Sequence, residues 1–488
     1  MQAALARARM AANRDLTLGT FLERLDEIHG NRTMMTTADE RLSFAQAAAR
    51  VDLWAGAVHA EVTAGSRVVL ILEGYDLLLA SLAVSRAGAL PVPINAQMRP
   101  DEIDHVVRDA GAVMVVRDVL ELSRGGRLDE AVPTAASEVA ALFYTSGTTG
   151  KPKGVELTHR GLLGLTGAAA LLPNGLHRDE AVVALPVAHI YGFTALLGLA
   201  AGGVPVHYFP RFRPTEVLDA IEQRRATMFM GVPAMYRLMA EAGADDRDLK
   251  SIRLWASGAD VMPDDLAQRF RKMGASATLP MIGSLGEAIF VEGYGMVELG
   301  GGVALKVGSN LVALPGYRFR VVGDEGREVA VGQVGELWVK GPGTLRGYYG
   351  DAKATADALT PDGWVRTGDL ARRGLGNTVR FSGRKKDVIK HGGYSVYALE
   401  VEAALTGHPD VLEAAVIGLP DPRKGEVPVA AVRVRDDAKV KPAEIVAWAA
   451  EHLSDYKAPR QVVIVDALPR TGTTKVQKSG LIGLFEAR

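Results

Sequence analysis

Through its first half the chain alternates short, unbroken apolar runs with longer amphipathic stretches. Val68-Val69-Leu70-Ile71-Leu72 reads as a buried strand, Asp76–Arg86 as a helix, and Leu90–Ile94, with its two prolines, as a strand edge. Pro100-Asp101-Glu102 opens the next helix, with proline and acids where a first turn favours them. Gly111 stops that helix, and Val113–Val116 is the next strand. Ala181–Leu185, Val204–Tyr208, Met228–Met230 and Ile252–Ser257 continue the rhythm, with helical segments between them. Alternation of this kind predicts an α/β architecture with parallel sheets covered by helices on both faces.

From about Arg318 the pattern changes to short strands separated by glycine turns: Arg318–Val322, Gly335–Lys340 and Val379–Ser382. After Lys386 comes a compact α+β module. It holds a helix near Leu399–Leu405, strands Glu413–Ile417 and Val427–Val434, a helix Ala443–His452 and a strand Gln461–Val465. The expected organisation is therefore a large domain over 1–385, β-rich from about 310, and a small domain over 387–488. At 488 residues the chain is too long for one core, which agrees.

Composition removes several function classes. Lys and Arg number 56 against 57 Asp and Glu, so no global field favours nucleic acid or an acidic membrane. With no cysteine there is no disulfide framework, no zinc–thiolate site and no thiol nucleophile. Arg7, Arg9 and Arg14 precede the first acid, but the segment lacks serine and an apolar core, so an ordinary N-terminal helix is expected rather than a transit peptide. The longest apolar stretch, Ile190–Val206, is broken by Gly198, Gly202, Gly203 and Pro205, which fits a buried helix and strand better than a membrane span. The expectation is a cytoplasmic protein without a transmembrane segment.

The most informative segment is Tyr144-Thr145-Ser146-Gly147-Thr148-Thr149-Gly150-Lys151-Pro152-Lys153-Gly154, which follows a strand expected over Ala140–Phe143. Its hydroxyls, glycines and two lysines can wrap phosphates with backbone N–H groups and cations. It is not the P-loop of kinase-like NTPases, because Pro152 disfavours helical geometry at Lys151. A flexible surface turn is the plain alternative.

Thr145–Gly154 resembles the signature of the adenylate-forming superfamily, which includes acyl-CoA synthetases, peptide-synthetase adenylation domains and beetle luciferases. Further motifs follow in the family's order. Gly293-Tyr294-Gly295-Met296-Val297-Glu298 is similar to an element in which, by resemblance, Tyr294 stacks on adenine and Glu298 ligates magnesium. Thr145 is the second residue assigned to the metal. Val297 stands where the family has threonine and lacks its hydroxyl. Ser257-Gly258-Ala259 resembles the segment on the other face of adenine, and the stretch after it carries an unexpected Leu279–Phe290 insertion. Gly363-Trp364-Val365-Arg366-Thr367-Gly368-Asp369 implies that Asp369 accepts hydrogen bonds from both ribose hydroxyls. In Gly383-Arg384-Lys385-Lys386-Asp387, Arg384 would contact ribose or phosphate and Lys386 would be the hinge to a mobile C-terminal domain.

His391-Gly392-Gly393-Tyr394 resembles the loop that lines the pantetheine channel of coenzyme A, with Gly392, Gly393 and Tyr394 on the ligand. Leu468–Val476 is similar to the segment carrying the catalytic lysine, which makes Lys475 that residue and Lys478 its alternative; Thr474 replaces the family's glycine. Pro186–Phe193 matches a loop bordering the acyl pocket and puts His189 beside the carboxylate or the phosphates.

The resemblance implies an ATP-dependent acyl-CoA synthetase using ATP, Mg²⁺ and coenzyme A. The run Leu299-Gly300-Gly301-Gly302-Val303-Ala304-Leu305 is small and apolar, and neither it nor Pro186–Phe193 offers an arginine for a distal carboxylate. That leans towards a fatty or other apolar acid, with an aryl acid also fitting. The rival readings are a ligase loading an acyl carrier protein, a kinase releasing ADP, and a nucleotide-binding protein without turnover. No nucleic-acid partner is expected; a homodimer stays open.

Overall fold

The computed structural model describes residues 10, 15–145, 151–169, 179–279, 283–435, 437–470 and 476–486. The expected site residues Ser146, Gly147, Thr148, Thr149, Gly150 and Lys475 lie outside these, as does Thr474. The chain divides into two compact units, the first built from 1–306, 313–318 and 339–365, the second from 307–312, 319–338 and 366–488. No described helix is long and apolar enough to cross a membrane.

In the first unit the helix Leu18–His29 is followed by strands β1 (Thr33–Thr36) and β2 (Arg41–Ser43). Ser43 caps the helix Phe44–Glu61: its side chain accepts from the Gln46 N–H while the Gln46 side chain accepts from the Ser43 N–H. Strands β3 (Arg67–Leu70), β4 (Leu90–Pro93) and β5 (Met114–Val116) form a parallel sheet in the order β4-β3-β5. The two prolines of β4 are thus tolerated at an edge, and Pro100 is the first residue of its helix, both as the sequence predicts.

β6 (Val139–Thr145) and β7 (Lys153–Thr158) are an antiparallel pair. The helix His159–Ala169 follows β7; His159 is buried, its Nδ1 accepting from the Leu18 N–H at 3.0 Å. β8 (Ala181–Val183), β9 (Val206–Tyr208), β10 (Met228–Gly231) and β11 (Leu254–Ser257) alternate with the helices Ile190–Ala201, Pro214–Arg224 and Pro233–Glu241. The antiparallel pair β12 (Ala277–Leu279) and β13 (Gly283–Leu285) takes in Leu279 and 283–285 of the unexpected insertion, and the insertion's last residues, Ile289 and Phe290, open β14 (Ile289–Met296). β15 (Gly301–Val307) then turns back antiparallel to β14.

The unit's main sheet runs β15-β14-β11-β10-β8-β9-β1-β2, with every pair from β14 to β1 parallel. Ala181, Val182 and Val183 of β8 are wholly buried, as a strand covered on both faces requires. Trp255, Tyr236, Phe229 and Phe270 pack edge-on beside β10 and β11.

β16 (Asn310–Ala313), β17 (Arg318–Val322) and β18 (Val334–Lys340) enter the second unit, and the short β19 (Gly347–Tyr348) pairs with β7 in the first. β20 (Val365–Arg373) and β21 (Thr378–Arg384) complete the second unit's sheet, ordered β17-β18-β20-β21-β16. Its α+β part holds β22 (Val388–His391), β23 (Tyr394–Tyr397), β24 (Val411–Asp421), β25 (Gly425–Val434) and β26 (Gln461–Ile464), ordered β23-β22-β25-β24 with β26 parallel on β25. The helices Ala398–Thr406 and Pro442–His452 supply Val401, Leu405, Ile445 and Ala449 to its core.

Candidate functional site

The first unit gathers its candidate residues where the parallel strands end, the crevice in which open α/β sheets bind ligands. β11 finishes at Ser257, and Gly258 and Ala259 follow. Ser257 is buried and its Oγ has no hydrogen-bond partner, an unusual and costly state for a hydroxyl, about 1–3 kcal/mol. Ala259 holds φ at +68°, a left-handed conformation that a side chain-bearing residue adopts at a cost and that clusters at functional sites. Ser257 lies in register with Glu292 of β14, so the segment runs beside the Gly293–Glu298 element.

Tyr294 pairs with Ala304 of β15, and the register slips between Tyr294 and Gly295. A Cβ on Gly295 would come within 2.0 Å of the Gly301 carbonyl oxygen, so only glycine fits there. Glu298 lies in the single turn Val297–Leu299 that ends β14.

His189 precedes the helix Ile190–Ala201 and caps it: its Nδ1 accepts from the Tyr191 N–H at 3.3 Å. Nδ1 is therefore the acceptor, which leaves the proton of a neutral ring on Nε2. One turn of this helix meets two candidate segments. A methyl on Gly258 would touch the Tyr191 ring at 3.4 Å, and one on Gly301 would meet Thr194 Oγ1 at 3.1 Å. Burial pushes the Tyr191 phenol well above its ordinary range, so it stays neutral.

The described ends of the glycine-rich segment lie on the antiparallel pair β6 and β7. Thr145, the last residue of β6, faces Lys153, the first of β7. The Pro152 carbonyl accepts from His105 Nε2 at 3.0 Å, and Lys151 is exposed. Lys153 Nζ pairs with Asp351 Oδ2 at 3.2 Å and sits 5.6 Å from the centre of the Tyr348 ring. The Tyr348 hydroxyl donates to Glu298 Oε1 at 2.9 Å. Burial first, and the Glu298 charge second, hold the Tyr348 phenol far above its ordinary pKa. Tyr348 and Asp351 thus link the end of the glycine-rich segment to Glu298, and no sequence motif pointed to either.

The second unit holds a separate group. Asp369 on β20 stands opposite Arg384 on β21, with Arg384 Nε 3.6 Å from Asp369 Oδ1. Thr367 Oγ1 donates to the Leu337 carbonyl at 2.6 Å and accepts from the Asp369 N–H at 3.1 Å, fixing the backbone under the carboxylate. Lys385 pairs with Glu336 at 3.0 Å, and Lys386 is exposed on the turn Lys385–Asp387.

Gly392 and Gly393 are the two central residues of the β22–β23 hairpin, closed by the His391–Tyr394 pair, with φ of +58° and +85°. Both central residues at positive φ make the turn that matches strand twist, and glycine adopts it without strain. Tyr394 is exposed and stacks on Tyr456 with ring centroids 4.6 Å apart. Lys478, the alternative to Lys475, is engaged structurally: its Nζ lies 2.7 Å from Glu402 Oε1 and 3.8 Å from Asp387 Oδ2.

Among the described residues no group of three or more His, Cys, Asp or Glu side chains is arranged to hold a metal. Magnesium is commonly held by one or two carboxylates together with substrate phosphates, and Glu298, its carboxylate accepting from the Tyr348 hydroxyl, is a carboxylate of that kind.

The model of the AMP-binding enzyme family matches residues 22–349, and that of the AMP-binding enzyme C-terminal domain matches residues 400–475. Feruloyl-CoA synthase from Amycolatopsis sp is 35% identical, the match covering 95% of this chain and 98% of that one. Indoleacetate–CoA ligase from Aromatoleum aromaticum is 30% identical over 95% of this chain and 97% of its own. The crystal structure of ATP-bound MatB from Rhodopseudomonas palustris superposes with a TM-score of 0.85 at 27% identity, covering 96% of this chain and 99% of that one.

Proposed function

The chain belongs to the AMP-binding enzyme family and is an AMP-forming acid–CoA ligase, and on that footing we propose that its acid is apolar and carries an aryl group. The observation that carries this reading is the Tyr191 ring set against Gly258, which would give an acid bound beside this strand end an aromatic wall. Aromatic rings favour such a wall through offset and edge-to-face packing. Relatives that act on feruloyl and indoleacetate groups support it. A fatty acid is the second reading, favoured by the small apolar run Leu299–Leu305.

A carboxylate is a poor electrophile because oxide would have to leave. Attack of its oxygen on the α-phosphorus of ATP expels pyrophosphate, and the CoA thiol then displaces AMP from the mixed anhydride. Enzymes promote such transfers chiefly by positioning and by charge compensation. In the first unit, Thr145 and Lys153 would bind phosphate oxygens, Glu298 would hold magnesium, and Tyr294 with Ser257–Ala259 would enclose adenine. The unpaired Ser257 hydroxyl gives that base a hydrogen-bonding group. Bound magnesium would supply charge neutralisation on the phosphates. His189 would present its Nε2 proton to the acid or a phosphate.

In the second unit, Asp369 and Arg384 would bind ribose, and Gly392, Gly393 and Tyr394 would line the pantetheine path. Lys475 would bridge carboxylate and α-phosphate. A large domain over 1–385, a hinge at Lys386 and a small domain over 387–488 are part of the same proposal.

The test is pyrophosphate release from ATP and Mg²⁺ with ferulate, benzoate, indoleacetate, octanoate, palmitate and malonate, each with and without CoA. Preference for the aryl acids with stimulation by CoA is the expected outcome. Preference for palmitate would transfer the proposal to fatty acids, and release indifferent to CoA would point to a carrier protein as acceptor.

A further inference from the structure

Tyr348 is held from several directions. It faces Val155 in the β19–β7 register, and its N–H donates to Thr355 Oγ1 at 2.9 Å. That hydroxyl donates to the Asp351 carbonyl at 2.9 Å, and the Asp351 side chain caps the helix Ala352–Ala358 by accepting the Ala354 N–H at 2.8 Å. From this fixed backbone the side chain meets two charges far apart in sequence. Its hydroxyl donates to Glu298 Oε1, and its ring face lies towards Lys153 Nζ. Glu298 is tied from its backbone as well, its carbonyl accepting the Leu345 N–H at 2.9 Å.

A carboxylate left to itself rotates among several orientations, and a donor on one oxygen selects one of them. Hydrogen-bonded partners of this kind commonly set the affinity of carboxylates that ligate metals. Phenylalanine would fill the same space and present the same ring to Lys153, so packing alone does not call for the hydroxyl. We infer that Tyr348 is a positioning residue that orients the Glu298 carboxylate and keeps it in fixed relation to Lys153, so that carboxylate and cation are arranged before magnesium–ATP arrives. The inference rests on the reading of Glu298 as the magnesium-holding residue.

The test measures binding rather than turnover: titration of the full chain with a fluorescent ATP analogue, in EDTA and in excess Mg²⁺. For Tyr348→Phe the affinity in EDTA should be unchanged, while the gain that Mg²⁺ confers should shrink ~10-fold, the scale of one hydrogen bond to a charged group. In pyrophosphate release the loss should appear in the KM for magnesium–ATP more than in kcat. A full Mg²⁺ gain in Tyr348→Phe overturns the inference. Glu298→Gln separates it from its premise. If that variant loses the gain and Tyr348→Phe does not, only the role of Tyr348 falls; if Glu298→Gln keeps the gain, the premise falls with it. The double variant should lose no more than Glu298→Gln alone, and additive losses would also overturn the coupling. A thermal melt of Tyr348→Phe within a few degrees of the parent chain assigns the loss to the missing hydroxyl rather than to poor folding, and a loss of Mg²⁺ gain that tracks a large drop in melting temperature would overturn the inference.

Discussion

Asp369 and Arg384 are cross-strand partners in the antiparallel register of β20 and β21, their charged groups 3.6 Å apart. The Asp369 side chain is only 13% exposed, with Arg384 beside its carboxylate and its backbone N–H donating to Thr367 Oγ1. Hydrogen bonds to an ionised acceptor are worth about 1.5–3 kcal/mol each. Asp369→Asn should therefore raise the KM for ATP by ~10- to 100-fold while leaving the melting temperature within a few degrees. Initial-rate kinetics across ATP concentration check this, and an unchanged KM would remove the ribose from Asp369.

His189 carries two separable roles. As an N-cap it stabilises its helix, and His189→Ala should cost about 1 kcal/mol in urea unfolding. Asparagine is a good cap, so His189→Asn should restore that stability. If Nε2 also touches the acid or a phosphate, the asparagine variant should remain stable yet lose ~10²-fold or more in kcat/KM. Full activity in His189→Asn would reduce the residue to its capping role.

Lys475 and Lys478 should behave differently on substitution. Lys478 is engaged by Glu402 and Asp387, so Lys478→Ala should lower stability modestly, by up to about 1 kcal/mol for such partly exposed pairs, and leave adenylation in place. Lys475→Ala should abolish adenylate formation, at least ~10²–10³-fold, and largely spare thioester formation from supplied acyl adenylate. Equal loss of both half-reactions in Lys475→Ala would defeat that division of labour.

Burial pushes His159 down from 6.5 to about 4. Between those values the unfolded chain binds a proton that the folded chain excludes, so stability falls as pH drops through the window. The loss from this residue between about pH 7 and about pH 5 is on the order of 2 kcal/mol. Urea unfolding at both pH values should show a smaller acid-induced loss in His159→Gln than in the parent chain. An identical loss would mean that other groups govern the acid limb.

What could be read from the chain alone was whatever local chemistry determines. The Pro100 helix start, the β4 edge with its two prolines and the wholly buried β8 follow from proline geometry and burial. The aspartate and arginine of the β20–β21 pair belong to separate motifs, and neither motif says that they face each other; that is a matter of register. Gly392-Gly393 marked a close approach in sequence, whereas the hairpin turn it makes depends on the strands either side. The Tyr348–Glu298 hydrogen bond left no trace in sequence, because β19 is two residues long and its partner strand, β7, lies far upstream. Ala259 was invisible for another reason: alanine gives no hint of the left-handed backbone it adopts.

The antiparallel pair that flanks the glycine-rich segment has a consequence for its electrostatics. A phosphate-binding loop that runs straight into a helix borrows the partial positive charge of the helix terminus, which is built into the backbone. Here the segment is flanked by the antiparallel pair β6 and β7, and the helix His159–Ala169 begins only after β7 is complete. The described cation at this point is a side chain, Lys153, anchored by Asp351 and the Tyr348 ring. Side-chain cations at a solvent-reached surface are weakened by mobile ions, so nucleotide affinity here should decline with ionic strength more steeply than at a helix-backed loop.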